Sequence, residues 1–575
     1  MTAAPEDRHP AAGPWQPGDR PGYPPQAQTG PFRWGCLREA PRSVWLLTAA
    51  FLLLLTLATA LWPPYRGPDE PQHVDLAAAL DQGVSPLWLP ATREISVGAW
   101  TGGVLPNSRI GEPQRLADRE VLPRGERPSY EDFGGAASTG FTNQLVQHPP
   151  GYYVVLSGVL RLLPDWRNMP LELVVGVLRL VGVVLVAPLP LLAWATARRL
   201  SPSPTVPLLA AVGVLGVPQL VHISAGVNND ALQNLTAAVC TLLVVHVTTG
   251  DTTRRTALWA GLVLGLGLLS KGLVLVFVGV LLAGYLLAWW RAPGERWRVV
   301  GSALLATAVA GVVGGWWWVR NVVLTGRVQP AGDDRSTEAV RGWEAAAEVW
   351  AEDLVRFVLI RFWFDHPSGS DTGLSVTLSY WATGVVGVLV LLALLLRRPP
   401  GTSRAVALVL VLPLCVLAVL LVVGSYESFR LGQDQPAFQG RYLFPGLVGV
   451  AAVTALGWHR LLRRRTASAV LLMLLWALAS QALGAASAVR LYWWPADGRL
   501  STLLSGMMRV LPWPTPTVPL LLVLLVGATS AAAAALLRDA WTLGRGGAAS
   551  ADGPRDDDVP ARSGPVGATA VDVLP

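Results

Sequence analysis

The chain has 575 residues, 52% of them hydrophobic and only 14% charged, with a formal net charge of +7. Soluble domains carry about a quarter charged residues, so an ordinary globular domain is excluded. The arginines lie in short clusters between apolar runs, as membrane topology requires, and this removes nucleic acid as the reason for the positive charge.

Apolar runs of about 17–25 residues recur along the chain, enough to cross about 30 Å of hydrocarbon at about 1.5 Å per residue. The expected fold is an all-α polytopic membrane protein of about 12 transmembrane helices, with both termini cytoplasmic by the positive-inside rule. Cys36, Cys240 and Cys415 are far apart and two lie in apolar runs, so neither a disulfide framework nor a zinc site is suggested.

Residues 1–43 are rich in Pro, Gly, Gln and Ala and are expected to be a disordered cytoplasmic tail. Arg33, Arg38 and Arg42 precede the first span, residues 44–62, which argues for a cytoplasmic N-terminus. Ala58-Thr59-Ala60 resembles a signal-peptidase site, but the segment before it is very long for a signal peptide. Residues 63–148 form a large polar outer loop. Residues 149–164 are apolar but short and contain Arg161. A helix over 151–164 reaches only about 21 Å, so it is read as interfacial or re-entrant.

That choice sets the sidedness of everything after it. Spans follow over 171–196, 205–222, 229–249, 256–270, 272–290 and 299–319. Arg198-Arg199, Arg254-Arg255 and Arg291 through Arg298 then all fall inside. Residues 44–325 thus make an N-terminal transmembrane module, and 326–376 belong to a second outer loop with an amphipathic helix near 340–364. The C-terminal transmembrane helices occupy 377–540, with spans over 377–396, 404–424, 441–457, 467–487 and 516–537. Arg397-Arg398 and Arg460 to Arg465 again fall inside. Residues 541–575 are expected to be a disordered cytoplasmic tail.

The chemistry-bearing residues gather at the outer ends of these spans. Asp69, Glu70, His73 and Asp75 crowd one loop after the first span. An acidic cap followed by Pro71 explains one carboxylate as a helix start, but not the others. Asp69 and His73 are four apart and share a helical face. Such a pair can act as general base or hold a divalent ion. Asp69 and Glu70 are therefore the candidate catalytic residues. Asp69, Glu70 and His73 are the candidate ligands of a divalent cation, the one cofactor the sequence suggests.

His148-Pro149-Pro150-Gly151-Tyr152-Tyr153 opens the short segment. Prolines start a helix and tyrosines suit the headgroup level; His148 is left over as a candidate binding residue. Asn228-Asn229-Asp230 lies at an outer helix start, where one cap needs only one such residue; Asn229 and Asp230 are candidates. Lys271, the only lysine, and Arg179 sit in or between apolar runs, where cations are costly and either functional or snorkelling. Arg320, after Trp316-Trp317-Trp318, and Arg441, in Gln439-Gly440-Arg441-Tyr442, are further candidate phosphate ligands. The tryptophans read as an interfacial belt. Arg361 to His366 suits sugar stacking or a surface amphipathic helix. No Walker A loop, dinucleotide turn or zinc-protease helix occurs.

Pro68-Asp69-Glu70-Pro71-Gln72-His73, His148 to Tyr153, Asn228-Asn229-Asp230 and Gln439 to Tyr442 together resemble the DUF2142 family of bacterial membrane proteins. That family is similar to the GT-C glycosyltransferases, such as protein O-mannosyltransferases and the aminoarabinose transferase of lipid A. The resemblance covers about residues 44 to 490. It implies a GT-C-like bundle, an acidic position at Asp69 and Glu70, and transfer from a polyprenyl-phosphate-linked sugar to a cell-envelope glycan, lipid or protein outside the membrane. Here Asp-Glu replaces the Asp-x-Asp of some relatives, which leaves a metal requirement open. On this reading Lys271, Arg441 or Arg320 holds the leaving phosphate, and Asp69 or Glu70 takes the acceptor proton. A transporter or flippase of lipid-linked glycans, or a non-catalytic envelope-assembly protein, would use the same outline differently.

Overall fold

A computed structural model of the chain describes residues 31–87, 93–104, 115–330, 343–364, 373–396, 403–430, 438–462 and 465–549. Most of the two expected tails, Arg397-Arg398, Arg463-Arg464 and Asp365-His366 lie outside the described residues.

The protein is an all-helical, multi-pass membrane protein. Its first span is α1 (Arg42–Leu61). The first outer loop then contributes α2 (Glu70–Asp81), a two-stranded antiparallel ribbon, β1 (Glu94–Ser96) with β2 (Ser138–Thr142), and the short helix α3 (Val97–Val104). Asp75 fastens the ribbon to α2. It accepts from Arg93, from the Ser96 N–H and from Asn143 at 2.8 to 3.2 Å. The helix α4 (Gly151–Leu162) has 12 residues, about 18 Å, and does not span.

Helices α5 (Leu171–Val186) and α6 (Leu189–Leu200) form one 30-residue span interrupted near Pro188. Helices α7 (Thr205–Leu215) and α8 (Pro218–Ser224) meet at a 61° bend, where Pro218 lacks the N–H that would continue the ladder. Then come α9 (Asp230–Thr248), α10 (Arg254–Leu268), α11 (Leu275–Arg291), and α12 (Arg296–Ala310), which runs through a π-helical turn at Gly311–Gly315 into α13 (Trp316–Thr325). The rest are α14 (Trp343–Trp363), α15 (Gly373–Leu395), α16 (Arg404–Arg430), α17 (Leu447–Leu462) after a 3-10 stretch at Gly440–Gly446, α18 (Thr466–Ala488), α19 (Leu500–Val510) and α20 (Thr517–Ala549).

Among the described residues, ten helices are long and apolar enough to span, or eleven with the bent α7–α8 pair. The expectation of about 12 counted α10 as well. It has 15 residues, about 22 Å, and falls short on its own. It nevertheless pairs antiparallel with α9, because Lys271, just past its end, bonds Asp230 at the start of α9. Small residues let it sit close to its other neighbour. A Cβ at Gly261 would meet the Ala306 carbonyl, and one at Gly314 would strike the Gly265 carbonyl. That is the small-residue contact expected between membrane helices.

The core centres on α9, whose apolar window is 89% buried against 11% for α20. At one end of α1, the Ser43 Oγ donates to Asp539 of α20 at 2.5 Å; its other end, at Trp62, carries the site described below. Order extends further at both ends than the composition suggested. Phe32 is fully buried and its N–H donates to Asp251 at 2.7 Å, ahead of a 3-10 turn at Trp34–Glu39. Helix α20 continues to Ala549. A helix, α14, occupies most of the segment near 340–364.

Candidate functional site at the head of α9

Asp69 and Glu70 are neighbours in sequence with opposite surroundings. Asp69 precedes α2 in the left-handed region, at φ 56° and ψ 22°, which costs energy for any residue with a Cβ, though Asp tolerates it better than most. The turn leaves its carboxylate 34% exposed. The Gln144 amide donates to Oδ1 at 3.2 Å, and Arg441 Nη2 stands 3.6 Å from Oδ2.

Glu70 is fully buried. Arg179 forks onto it, Nε to Oε1 and Nη2 to Oε2, both at 2.7 Å. The Val227 and Gly67 N–H groups donate to it at 2.9 and 3.3 Å. A carboxylate offers about four acceptor positions, and all are used. Burial alone would raise its pKa, but Arg179 more than offsets this and holds the carboxyl below its usual range. Glu70 is thus placed as a clamp, not as a group open to a substrate hydroxyl. Arg179 also donates to the carbonyls of Thr59, Trp62 and Pro63, so it neither snorkels nor faces a lipid phosphate.

Asp230 opens α9 and is fully buried. Its Oδ1 accepts from Lys271 Nζ at 2.6 Å, and its Oδ2 lies 3.6 Å from Arg441 Nε. Lys271 and Arg441 both lie over the Tyr442 ring, at 5.0 and 5.7 Å. Asp69, Asp230, Lys271 and Arg441 thereby form one alternating ion cluster from four separate parts of the chain.

Several buried atoms around it have no hydrogen-bond partner: Asp230 Oδ2, Arg441 Nε and Nη1, Asn229 Oδ1 and His148 Nδ1. One turn down α9, the amides of Gln233 and Asn234 are likewise unpaired at both ends. Buried polar groups are ordinarily satisfied, so this concentration marks a place built to receive polar atoms.

The histidines and tyrosines line the same end. His73 Nδ1 lies 3.1 Å from the Tyr153 hydroxyl, with the rings stacked at 5.7 Å. Burial first, then the nearby His148, Lys271 and Arg441, hold its pKa well below the imidazole range. His148 is pushed down to about 3 by burial, Lys271 and Arg441, against an opposing pull from Asp230. Both rings are therefore neutral at physiological pH. Tyr152 and Tyr153 are fully buried, contrary to the headgroup position expected. Tyr152 Oη accepts the Asn228 N–H at 3.1 Å, and Asn228 in turn bonds the Pro68 carbonyl. Asn229 donates to the Ser270 carbonyl at 3.2 Å.

Arg320 is placed elsewhere: it bonds the Leu87 carbonyl and Asn321 and lies over Trp317. Of the three tryptophans only Trp316 is exposed as a belt residue should be; Trp317 and Trp318 are buried.

The three residues read as candidate cation ligands have other partners or surroundings here. Glu70 is saturated by Arg179, His73 stacks on Tyr153, and both remaining acids are matched by cations. Among the described residues no group of three or more His, Cys, Asp or Glu is arranged to hold a metal.

A sequence-family model described as dolichyl-phosphate-mannose-protein mannosyltransferase matches residues 147–317. The matched stretch holds His148, Asn229, Asp230 and Lys271. No curated protein sequence matches the chain. Among solved structures, ArnT from Cupriavidus metallidurans bound to undecaprenyl phosphate is similar over 88% of this chain and 79% of its own, at 13% identity and a TM-score of 0.46. The apo form of the Archaeoglobus fulgidus oligosaccharyltransferase is similar over 81% and 56%, at 12% identity and a TM-score of 0.39.

Sequence reasoning missed Gln144, which holds Asp69, and the amides of Gln233 and Asn234. Gln144 sits in a polar loop with nothing to distinguish it. Gln233 and Asn234 did carry a signal: adjacent amides inside an apolar run one turn from Asp230.

Proposed function

We propose that the protein is a GT-C-type membrane glycosyltransferase that moves a sugar from a polyprenyl-phosphate donor to a cell-envelope acceptor. The observation that carries this is the convergence of Asp69, Asp230, Lys271 and Arg441 at one end of the bundle, with unpaired guanidinium N–H groups on Arg441. The match of residues 147–317 to a lipid-linked mannosyltransferase family supports the same reaction class. The motifs that resemble the DUF2142 family contribute residues to this one cluster.

The face is assigned from charge. Arg198, Arg199, Arg254, Arg255, Arg291, Arg296 and Arg298 lie at helix ends away from the cluster. Positive residues mark the cytoplasmic side, so the cluster is extracytoplasmic. Nucleotide sugars are not expected there, and the activated donor must arrive with its lipid.

In the step, the acceptor oxygen bonds to the anomeric carbon as the bond from that carbon to the phosphate oxygen breaks. The electron pair leaves with the polyprenyl phosphate, and the acceptor proton passes to Asp69, the one exposed acid of the cluster. Arg441 and Lys271 stabilise the leaving phosphate through charge-assisted bonds. Asp230 holds both cations in place. One direct displacement inverts the anomeric centre. Glu70 and Arg179 fix the turn that aims Asp69.

The test is complementation of a host lacking its own copy, with profiling of envelope glycans. Asp69→Asn should abolish the glycan while the protein still reaches the membrane. An unchanged glycan would remove the enzyme reading.

A further inference from the structure

We infer that the end of the bundle opposite the ion cluster carries a second, separate site that binds a phosphodiester headgroup. A chamber of about 360 Å³ lies between the segment 31–39, α6 and the end of α9, and its wall includes Arg33, Glu39, Trp194, Arg198, Arg199 and His246. The sequence accounts for these arginines only as markers of topology. The geometry asks more of them.

Arg199 is 7% exposed. Its Nε donates to Thr249 Oγ1 at 2.8 Å, while its buried Nη2 has no hydrogen-bond partner. A guanidinium carries five N–H donors in a fixed fork suited to phosphate, and leaving one buried and unpaired costs free energy. Arg198 lies over the Trp194 ring at 5.1 Å and pairs with Glu39 at 2.8 Å. That contact ties the segment 31–39 to α6.

The charges fix the kind of anion. Arg33, Arg198 and Arg199 share the lining with one carboxylate, Glu39, and Asp251 lies behind it, close enough to Arg199 to offset its charge. Asp251 is turned inward: it accepts from the Phe32 N–H, Thr253 and Thr256, and stands 3.5 Å from His246 Nδ1. The balance is about one positive charge, which suits a singly charged phosphodiester better than a dianion. Basic pockets between membrane helices on the cytoplasmic side are known binders of phospholipid headgroups, and a lipid is the source of phosphodiester nearest this chamber. The Phe32 bond to Asp251 makes one wall of the chamber part of the folded core, so filling it stabilises the fold.

The experiment uses the full chain in dodecyl maltoside, which carries no phosphate. Thermal unfolding is measured with no addition, with inorganic phosphate at constant ionic strength, and with phosphatidylglycerol in mixed micelles. The expected result is a midpoint raised by a few degrees with phosphatidylglycerol. Arg33→Gln and Arg199→Gln should each lose at least half of that rise, whereas Arg255→Gln, on the same face but outside the chamber, keeps it. A rise with inorganic phosphate that depends on the same two arginines would support the site and make its ligand soluble. Arg33 is exposed, so Arg33→Gln reports even if Arg199→Gln fails to fold. No rise in either arm, or an equal rise in every variant, overturns the proposal.

Discussion

Lys271 Nζ donates to Asp230 Oδ1 at 2.6 Å across 41 residues of sequence, and both side chains are buried. The pair joins the top of α9 to the connection between α10 and α11. Removing Lys271 leaves Asp230 buried with only Arg441, at 3.6 Å, to offset its charge. Lys271→Met should therefore lower stability by about 3–5 kcal/mol, measured as a lowered unfolding midpoint in detergent. Adding Asp230→Asn to that background should recover only part of the loss, because it also takes from Arg441 its buried partner. Transfer should stay absent in both proteins.

Asp69 should behave differently from Asp230, the other acid of the cluster. It is part-exposed, and its carboxylate meets only the Gln144 amide and, at 3.6 Å, Arg441, so Asp69→Asn should move the unfolding midpoint little. Removing a general base costs about 10² to 10⁴ in rate. The sugar-transfer rate, followed as release of polyprenyl phosphate, should fall by that factor with little change in donor binding.

For Glu70 the order reverses. Glu70→Gln strands the Arg179 guanidinium and should cost about 3–5 kcal/mol of stability. Arg179→Met should cost a similar amount, and the double variant should regain part of it. Thermal unfolding of the four proteins gives the coupling directly. Equal midpoints for wild type and Glu70→Gln would show that the fork is not what holds the turn.

His148 gives a dependence on pH. Its folded pKa, about 3, lies below the ordinary 6.5, so the unfolded chain takes up a proton more readily. Its contribution is present above pH 6.5 and is lost progressively as pH falls from there toward 3. Between pH 6.5 and 5 the loss is about 2 kcal/mol. His148→Gln should flatten the stability profile across that window. Activity measured at pH 7.5 separates this effect from a role in binding.

The sequence discloses some layers of this structure and hides others. Apolar run length located the helices that, among the described residues, are long and apolar enough to span, because that length follows from the thickness of the bilayer. It overcounts at α10 as a matter of length alone, since the apolar run read over 256–270 continues past the helix, which stops at Leu268. Residues with a large desolvation cost, namely Asp230, Lys271, Arg179 and Arg441, stood out in apolar surroundings. Their pairing did not, because an isolated chain does not say which buried acid meets which base. Arg179 went to Glu70, leaving the neighbouring carboxylate open, and nothing in Asp-Glu distinguishes the two. Phe32 and Tyr152 were misjudged for one reason: their burial depends on partners more than 70 residues away, Asp251 and Asn228.

The adjacency of Ser43 and Asp539 bears on how the assembly comes together. Among the described helices long enough to span, α20 is the last and packs along α1, the first. Until α20 has been made, that flank of α1 must rest against hydrocarbon. Lipid is as apolar as leucine, so the wait carries little penalty for the side chains, and the docking of α20 is a late exchange of lipid for protein rather than a rescue of stranded surface. The Ser43–Asp539 bond then acts as a register mark, setting how far α20 slides along its neighbour.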